Sequence, residues 1–371
     1  MATHPAITVT GIKQPLTVTK VPTRTPQGRE VQVRVEWVPS APLDVYQVDA
    51  GLMAQFPQCL GDSGAGTVVA TGPEVQHLRV HDRVFGFFFH NANEKGQQVY
   101  ITASEHLFGK VPDKVPLEAA VTLPTNFCTS FYTLSDKLNL DFPWPRPESF
   151  VPKDADTPIL IWGAGSSVGH FAVQILKYWK YTNVLVTASP KHHKKLKSYG
   201  AKHTFDYRDP NVIDSIIKCV SDHGSSTGMR VFDTVTSKHS SLAPISKIAT
   251  RAGSIVAAVL PVVINPPSDP VGLQLSANIA QEAEWAPGVE VHPIVSYAYE
   301  ANEFLRDCLQ PDIMATLLAD GAIEPNTTRC VEGNSLLERA TRAIDIMRSG
   351  TVSGERLVWR VWTPEEFPEY K

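Results

Sequence analysis

Two patterns of hydrophobic and polar residues divide the chain. From residue 30 to residue 38, apolar and polar side chains alternate strictly, which predicts a strand with one buried face. Shorter apolar runs at residues 6–10, 66–70 and 83–89 are separated by Gly, Pro and Asp, and they predict further strands. The first part of the chain, about 120 residues, therefore favours a β-rich domain, either a partly open barrel or a sandwich.

The pattern changes after Pro158, where apolar runs alternate with helical stretches. This alternation predicts a parallel sheet covered by helices on both faces. The predicted strands lie near residues 159–162, 184–188, 203–206, 230–235 and 254–260. Farther on, residues 336–347 keep a helical spacing that stops at Gly350, and residues 356–362 predict a final strand.

Five prolines between residues 142 and 158 interrupt any regular hydrogen-bonding pattern. Helical residues at 129–138 precede them. We therefore interpret the proline-rich segment as a surface insertion just inside the second domain rather than as the linker between domains.

Composition and charge narrow the functional classes. The chain has 371 residues, of which 43% are hydrophobic, and this is enough to bury a sizeable core. A formal net charge of −4 without a run of five like charges argues against nucleic acid and anionic membranes as partners. No stretch approaches the roughly 18 apolar residues of a membrane span, so we predict a cytoplasmic protein. The five cysteines are far apart, which favours reduced thiols over disulfides or a zinc cluster.

The most specific signal is a glycine-rich turn between a buried strand and an amphipathic helix. Gly163 and Gly165 allow a tight turn and a close approach of the backbone to a pyrophosphate, and Gly169 lets helix and strand pack closely. The third glycine stands one place later than in G-x-G-x-x-G, but strand, turn and helix follow in the order that dinucleotide binding requires. The predicted pyrophosphate site consists of Gly163, Ala164, Gly165, Ser166, Ser167, Val168 and Gly169.

The residues after the next strand predict which dinucleotide binds. NAD binding usually uses an Asp or Glu about 20 residues beyond the turn. That position is Ser189, and residues 190–195 contain no acid. A 2′-phosphate would meet hydroxyl and cationic groups there rather than a repelling carboxylate, so the sequence predicts NADPH. A solvated basic helix face is the alternative interpretation.

Taken together, these segments resemble the medium-chain dehydrogenase/reductase superfamily over nearly the whole chain. Beyond the glycine-rich turn, the resemblance rests on residues 61–69 (GDSGAGTVV), 82–86 (DRVFG) and 353–358 (SGERLV), on Leu123-Pro124 with Thr129, and on Gly200-Ala201 with 205–207 (FDY). It implies an α/β protein with a GroES-like β-rich catalytic domain at 1–125 and 301–371. Residues 126–300 would form a Rossmann domain, a doubly wound parallel sheet that binds the cofactor.

The resemblance also implies chemistry without a metal. Zinc alcohol dehydrogenases of this superfamily bind zinc with an early Cys and a Gly-His-Glu motif, but this chain has Ala41-Pro42-Leu43-Asp44 and Gly61-Asp62-Ser63 at those places. Among zinc-independent members the chain looks like the quinone reductases. It looks more closely like the fungal trans-acting enoyl reductases that assist polyketide synthases.

By the same resemblance, Thr129 lies beside the nicotinamide and Leu260 borders its ring. The residues around the 2′-phosphate are Ser189, Lys191, His192 and Tyr207. Structural alternatives stay open, since Thr129 fits a helix-packing role and Tyr207 an ordinary strand residue.

Hydride transfer to an activated C=C bond is the cofactor's own chemistry. The protein therefore has to orient the reactants, exclude water and supply hydrogen-bond donors. The proton donor stays open among Tyr46, Asp44, Asp62 and water.

We therefore predict an NADPH-dependent, zinc-independent reductase of α,β-unsaturated carbonyls, with enones and enoyl thioesters as substrates and a polyketide synthase as a candidate partner. A quinone reductase is the alternative within enzymes. A catalytically silent NADPH-binding protein is the alternative of another class, since Ala41 stands where relatives commonly have Asn. Residues 289–297 fit either pairing across a dimer axis or burial within one chain, so both a monomer and a homodimer are open.

Overall fold

The computed structural model describes residues 2–222 and 228–370. The chain divides into two compact units. The first unit comprises Met1–Cys128, Pro267–Leu273 and Glu300–Lys371, and the second comprises Thr129–Pro266 and Gln274–Tyr299. Over the residues described, no helix is both long and apolar enough to cross a bilayer.

The strands are numbered in chain order. They are β1 (Thr3–Val9), β2 (Thr17–Pro22), β3 (Glu30–Pro39), β4 (Gln58–Cys59), β5 (Ser63–Thr71), β6 (Arg83–Phe87), β7 (Tyr100–Ser104), β8 (Phe108–Lys110), β9 (Ile159–Trp162), β10 (Val184–Thr187), β11 (His203–Phe205), β12 (Arg230–Asp233), β13 (Ile255–Val259), β14 (Val262–Asn265), β15 (Gln274–Ser276), β16 (Glu290–Ile294), β17 (Thr328–Cys330) and β18 (Arg356–Arg360).

The α-helices are likewise numbered in chain order. They are α1 (Pro42–Ala50), α2 (Leu117–Ala120), α3 (Pro124–Tyr132), α4 (Ser167–Tyr178), α5 (His193–Tyr199), α6 (Val212–Asp222), α7 (Ala243–Ile248), α8 (Glu303–Cys308), α9 (Ala315–Ala319) and α10 (Leu336–Arg348). Short 3₁₀ segments occur at Ala92–Glu94, Glu105–Leu107, Pro190–His192, Ile279–Gln281, Ser296–Ala301 and Pro368–Tyr370, and π-helical turns at Thr133–Lys137, Lys238–Leu242 and Leu309–Met314.

The second unit is built on a parallel sheet of six strands in the order β11-β10-β9-β12-β13-β16. The chain begins at the central strand β9, adds two strands on one side and then three on the other. This is the doubly wound order of dinucleotide-binding sheets, in which ligands bind beyond the carboxyl ends of the strands where the direction of winding reverses. The predicted α/β fold class is confirmed, and the predicted strands of this region are β9 to β13.

The first unit is built around β3, whose alternating residues form the predicted half-buried strand. Val31, Val33 and Val35 are buried, and the polar residues between them are partly exposed. A seven-stranded sheet in the order β17-β18-β3-β5-β6-β8, with β7 also on β3, and a three-stranded sheet β2-β1-β4 make up the β-rich part. β18 pairs antiparallel with β3, so strands from the two ends of the chain are neighbours.

Polar contacts also tie the last segment of the first unit to its first segment. His90 Nε2 lies 2.7 Å from a carboxylate oxygen of Glu300, and His90 Nδ1 lies 2.7 Å from Glu94. The buried amide of Gln310 donates to the Phe87 carbonyl at 3.0 Å and accepts from the Phe87 N–H at 2.7 Å. The His90–Glu300 and Gln310–Phe87 contacts join residues more than two hundred positions apart in the chain.

The proline-rich segment has no regular strand or α-helix between residues 142 and 158. It is held by aromatic packing within the second unit: Phe142 lies 5.3 Å from Phe131 and 4.9 Å from Trp179, ring centre to ring centre. The indole N–H of Trp179 donates to the Pro143 carbonyl at 3.1 Å. The insertion is therefore anchored at its start by packed, tilted aromatic rings rather than by a hydrogen-bonded ladder.

Candidate functional site

The turn after β9 can be formed only by glycine at its first position. Gly163 has a φ of +80°, and a β-carbon there would lie 2.3 Å from Cγ2 of Val235. The Gly163 N–H donates to Thr187 Oγ1 at 3.0 Å, and the Ala164 N–H donates to the Thr187 carbonyl at 2.9 Å. The backbone is thus bent sharply and fastened to the neighbouring strand β10.

The other two glycines of the turn are also crowded. A β-carbon on Gly169 would lie 2.5 Å from Ala164 Cα, so the first turn of α4 packs directly against the glycine-rich turn. A β-carbon on Gly165 would lie 3.2 Å from the His192 ring. The structure therefore brings the predicted pyrophosphate turn next to a residue of the predicted 2′-phosphate group.

Helix α4 begins with a side-chain cap. The Ser166 hydroxyl accepts the Gly169 N–H at 2.9 Å and donates to Thr234 Oγ1 at 2.9 Å. The Thr234 hydroxyl lies 2.9 Å from the carbonyls of both Trp162 and Gly163. This cap uses one of the first N–H groups of the helix and leaves the others in that turn as donors to an anion.

Thr234 is a residue that the sequence did not single out. It follows β12, and β12 lies beside β9 in the sheet, with Asp233 paired to Trp162. The signal available in the sequence is a hydroxyl residue near the carboxyl end of the strand predicted at 230–235. The strand itself ends at Asp233 because this carboxylate accepts the N–H groups of Val235 and Thr236 at 2.9 and 3.0 Å and turns the chain.

The residues predicted to surround the 2′-phosphate lie at the ends of β10 and β11. Ser189 precedes the short 3₁₀ segment after β10 and is half-buried, while Lys191 is exposed. The pKa of His192 is lowered, first by burial and then by repulsion from Lys191 and other basic neighbours. The segment thus carries accumulated positive charge, which favours an anionic ligand.

Tyr207 lies at the end of the adjacent strand, with 42% of its surface exposed. Thr187 pairs with Phe205, and the Ala188 N–H donates to the Phe205 carbonyl at 3.0 Å. Ser189 and Tyr207 therefore emerge from neighbouring strands at the same edge of the sheet.

The residues predicted at the nicotinamide end meet at the end of β16. Thr129 is buried, and its hydroxyl donates to Ser296 Oγ at 2.8 Å. The Leu260 N–H donates to the Ile294 carbonyl at 2.9 Å. Thr129 and Leu260 thus contact the same short segment, residues 294–296. Ser296 is a second polar residue that the sequence analysis missed.

Tyr46, a candidate proton donor, lies on α1 in the first unit. It is partly buried and packs against the hydrophobic core of that unit. Burial raises the pKa of its phenol to about 12, so the hydroxyl keeps its proton at neutral pH.

Two further candidate donors lie in a buried charged cluster of the first unit. Asp44 accepts the Ala41 N–H at 2.8 Å and the Gln97 side-chain amide at 3.3 Å. Its pKa is raised to about 7, first by burial and then by repulsion from Asp62. The guanidinium of Arg356 is buried beside both acids, and this burial lowers its pKa. One cation therefore faces two carboxyl groups in a place with little water.

Asp62 is held by hydroxyl groups. Its Oδ1 accepts from Ser63 Oγ and from Thr125 Oγ1, both at 3.2 Å, and these two hydroxyls also bond to each other. In the described part of the chain, no three His, Cys, Asp or Glu side chains are arranged to hold a metal ion.

Comparisons with known proteins place the chain among oxidoreductases. The family described as alcohol dehydrogenase GroES-like domain matches residues 27–121. The trans-enoyl reductase himH of Aspergillus japonicus is 29% identical over 335 residues, which cover 89% of each chain. The trans-enoyl reductase tazE of Aspergillus terreus is 34% identical over 220 residues, which cover 57% of this chain and 70% of the relative.

A similar fold occurs among solved structures. The CurK enoyl reductase superposes with a TM-score of 0.70 at 19% identity, and the match covers 96% of this chain and 99% of the other. The likeness extends over both units of the chain, including the parallel sheet that lies outside the matched GroES-like residues.

Proposed function

The chain belongs to the medium-chain dehydrogenase/reductase family, and on that premise we propose that it is an NADPH-dependent enoyl reductase that works without zinc. Its substrates are α,β-unsaturated carbonyl compounds, including enoyl thioesters presented by a polyketide synthase. The observation that carries the proposal is the glycine-rich turn of residues 163–169 next to a strand end with basic and hydroxyl side chains.

The turn is suited to a pyrophosphate for two reasons. A β-carbon at Gly163 would clash with Val235 and one at Gly169 with Ala164, so the chain can keep this tight turn only with glycine at both positions. The capped start of α4 points N–H groups and the positive end of the helix dipole toward the same place. In our proposal the residues 163–169 hold the pyrophosphate, and Ser189, Lys191, His192 and Tyr207 hold the 2′-phosphate.

The bound cofactor supplies the hydride. Thr129 and Ser296 form a hydroxyl pair that orients the nicotinamide end, and Leu260 provides an apolar border. Thr129 is buried, and its hydrogen bond to Ser296 holds the hydroxyl in one orientation. The hydroxyl therefore does not have to reorient during the reaction.

Zinc independence is proposed from the groups that stand where the metal enzymes of the family have ligands. Asp62 is engaged by Ser63 and Thr125, and Asp44 by the Ala41 N–H and Gln97. The chain itself supplies a cation to oppose these acids, because the guanidinium of Arg356 is buried beside them. The charge of the cluster is thus partly compensated by the chain itself.

We propose Tyr46 as the proton donor because it is the candidate with a hydroxyl that stays protonated at neutral pH; burial, which raises its pKa to about 12, makes it a weak acid that can protonate only a strongly basic, enolate-like carbon. Tyr46→Phe should lower kcat about a hundredfold while NADPH affinity stays unchanged. Unchanged turnover in Tyr46→Phe would instead leave Asp44, Asp62 or water as the donor.

Oxidation of NADPH, followed at 340 nm with a panel of enoyl thioesters, enones and quinones, tests the proposed function. We expect turnover with the enoyl thioesters and enones. Turnover with quinones alone would make the protein a quinone reductase. NADPH binding without oxidation by any acceptor would make it a silent NADPH-binding protein.

Sedimentation of the purified chain distinguishes a monomer from a homodimer. In the described sheet of six strands, β16 is the last strand in the order, so it is the strand proposed to pair across a dimer axis.

A further inference from the structure

A carboxylate lies closer to the proposed 2′-phosphate site than the sequence around Ser189 suggests. Asp206 directly follows β11, and Ser189 follows Ala188, whose N–H donates to the carbonyl of Phe205, the last residue of β11. His193 lies at the same strand ends, with its Nε2 2.9 Å from the Ala188 carbonyl. The pKa of Asp206 is lowered, first by the side-chain hydrogen bond from Arg208. An uncompensated Asp206 would repel a phosphate at this edge of the sheet.

Arg208 compensates this charge with paired hydrogen bonds. Its Nε donates to Asp206 Oδ1 at 3.0 Å and its Nη2 donates to Oδ2 at 3.0 Å. The Arg208 backbone N–H adds a third bond to Oδ1 at 3.1 Å. The guanidinium also lies 5.6 Å from the ring centre of Tyr207. Bidentate geometry of this kind fixes a guanidinium on a carboxylate better than a single contact does.

We propose that Arg208 is a specificity-determining residue that acts through Asp206: it neutralises the carboxylate and so allows a 2′-phosphate to approach Ser189 and Lys191. This inference rests on the proposed use of NADPH. It differs from a direct phosphate contact, because the benefit of Arg208 then depends on Asp206 being charged.

A double-mutant cycle separates these two roles. NADPH and NADH are titrated against the full chain by cofactor fluorescence for the wild type and for Arg208→Ala, Asp206→Asn and the double variant. Arg208→Ala should weaken NADPH by about three- to tenfold and leave NADH nearly unchanged, because only NADPH carries the repelled phosphate. The double variant should bind NADPH within about twofold of the wild type. The loss in Arg208→Ala should shrink in 0.5 M salt, to about twofold or less, because salt screens exposed charges.

Two results would overturn the inference. If the double variant is as weak as Arg208→Ala, then Arg208 contacts the phosphate directly. If NADPH and NADH weaken equally, then the pair only supports the local fold. Should Arg208→Ala not fold, Arg208→Gln removes the same charge and gives the same test. Lys218→Ala, which removes an exposed positive charge on α6, is the matched control and should leave both affinities unchanged.

The same titrations keep this inference apart from the proposed function. A wild-type protein that binds no NADPH, or prefers NADH, contradicts the proposed function. A wild-type protein that prefers NADPH, but shows no recovery in the double variant, contradicts only the role of Arg208.

Discussion

Gly169 lies so close to Ala164 that a β-carbon at residue 169 would stand 2.5 Å from the Ala164 Cα. The contact is between backbones, and neither can move away without shifting the first turn of α4. The position of the helix N-terminus is therefore set by the absence of one side chain.

Gly169→Ala should consequently displace the start of α4. We expect a loss of about 1–3 kcal/mol in the free energy of unfolding, as for other overpacked positions, together with weaker NADPH binding. Urea unfolding and fluorescence titration measure the two effects. Gly253→Ala is the matched control in the same unit, because Gly253 has a φ of +80° but open space around it. It should cost stability through backbone strain alone and leave NADPH affinity unchanged.

Thr234→Val removes the hydroxyl that connects Ser166 with the carbonyls of Trp162 and Gly163. The expected cost is about 1–3 kcal/mol of stability, because polar groups lose their partner, and NADPH binding should weaken in parallel. Thr234→Ser keeps the hydroxyl and should restore both quantities. If the Val variant binds NADPH as well as the wild type does, the turn does not depend on this support.

Ser189→Asp tests the choice of cofactor. The new carboxylate should weaken NADPH by about tenfold or more and NADH far less, because only the 2′-phosphate of NADPH is repelled. The measurement is the ratio of the two dissociation constants. Ser189→Asn is the control, because Asn has the same size as Asp but no charge. Equal losses for both cofactors in Ser189→Asp would contradict the placement of the 2′-phosphate.

Thr129→Val tests the nicotinamide end. Loss of the hydroxyl bonded to Ser296 should lower kcat about tenfold while the dissociation constant of NADPH stays within about twofold, because orientation rather than affinity is changed. Thr129→Ser should retain activity. A Val variant with wild-type kcat would leave Thr129 a packing residue of α3.

The pair of His90 and Glu300 makes stability depend on pH. Hydrogen bonds that His90 donates to the carboxylates of Glu300 and Glu94 raise its pKa from 6.5 to about 10, so its contribution to stability is complete below pH 6.5 and is lost as the pH rises toward 10. The pKa of Glu300 is lowered from 4.5 to about 2 by hydrogen bonds from His106 and His90, which outweigh burial, the largest single influence on it. Its contribution is present above pH 4.5 and is lost as the pH falls toward 2. From pH 7 to pH 9.5, the free energy of unfolding should fall more steeply for the wild type than for His90→Gln. Parallel slopes would contradict the assignment.

The local parts of the fold were predictable because their signal lies within a few consecutive residues. The alternation at residues 30–38 gives β3, and the strand, turn and helix around Gly163 give β9 and α4. The predicted strand at 230–235 extends two residues too far, because the Asp233 side chain ends it by accepting backbone N–H groups. Such a side-chain contact is not visible in an apolar run.

The remaining features depend on residues that are far apart in the sequence. The bond between Thr129 and Ser296 spans 167 positions, and no periodicity connects the two residues. Asp44, Asp62 and Arg356 come together from three elements, so their shared burial follows only from the pairing of strands in the first unit. The sequence could suggest which residues have reactive or charged side chains, but it could not show which of these side chains lie close enough to change each other's pKa.

The order of strands in the first unit has a consequence for biosynthesis. During translation β3 emerges from the ribosome early, but its neighbour β18 emerges only after every residue of the second unit has been made. The second unit can therefore complete its parallel sheet co-translationally, while residues 37–39 of β3 wait for the final strand; the start of the same edge already pairs with β7. Until β18 is made, this part of the strand edge is exposed. An exposed edge can pair with another chain and aggregate unless a chaperone covers it.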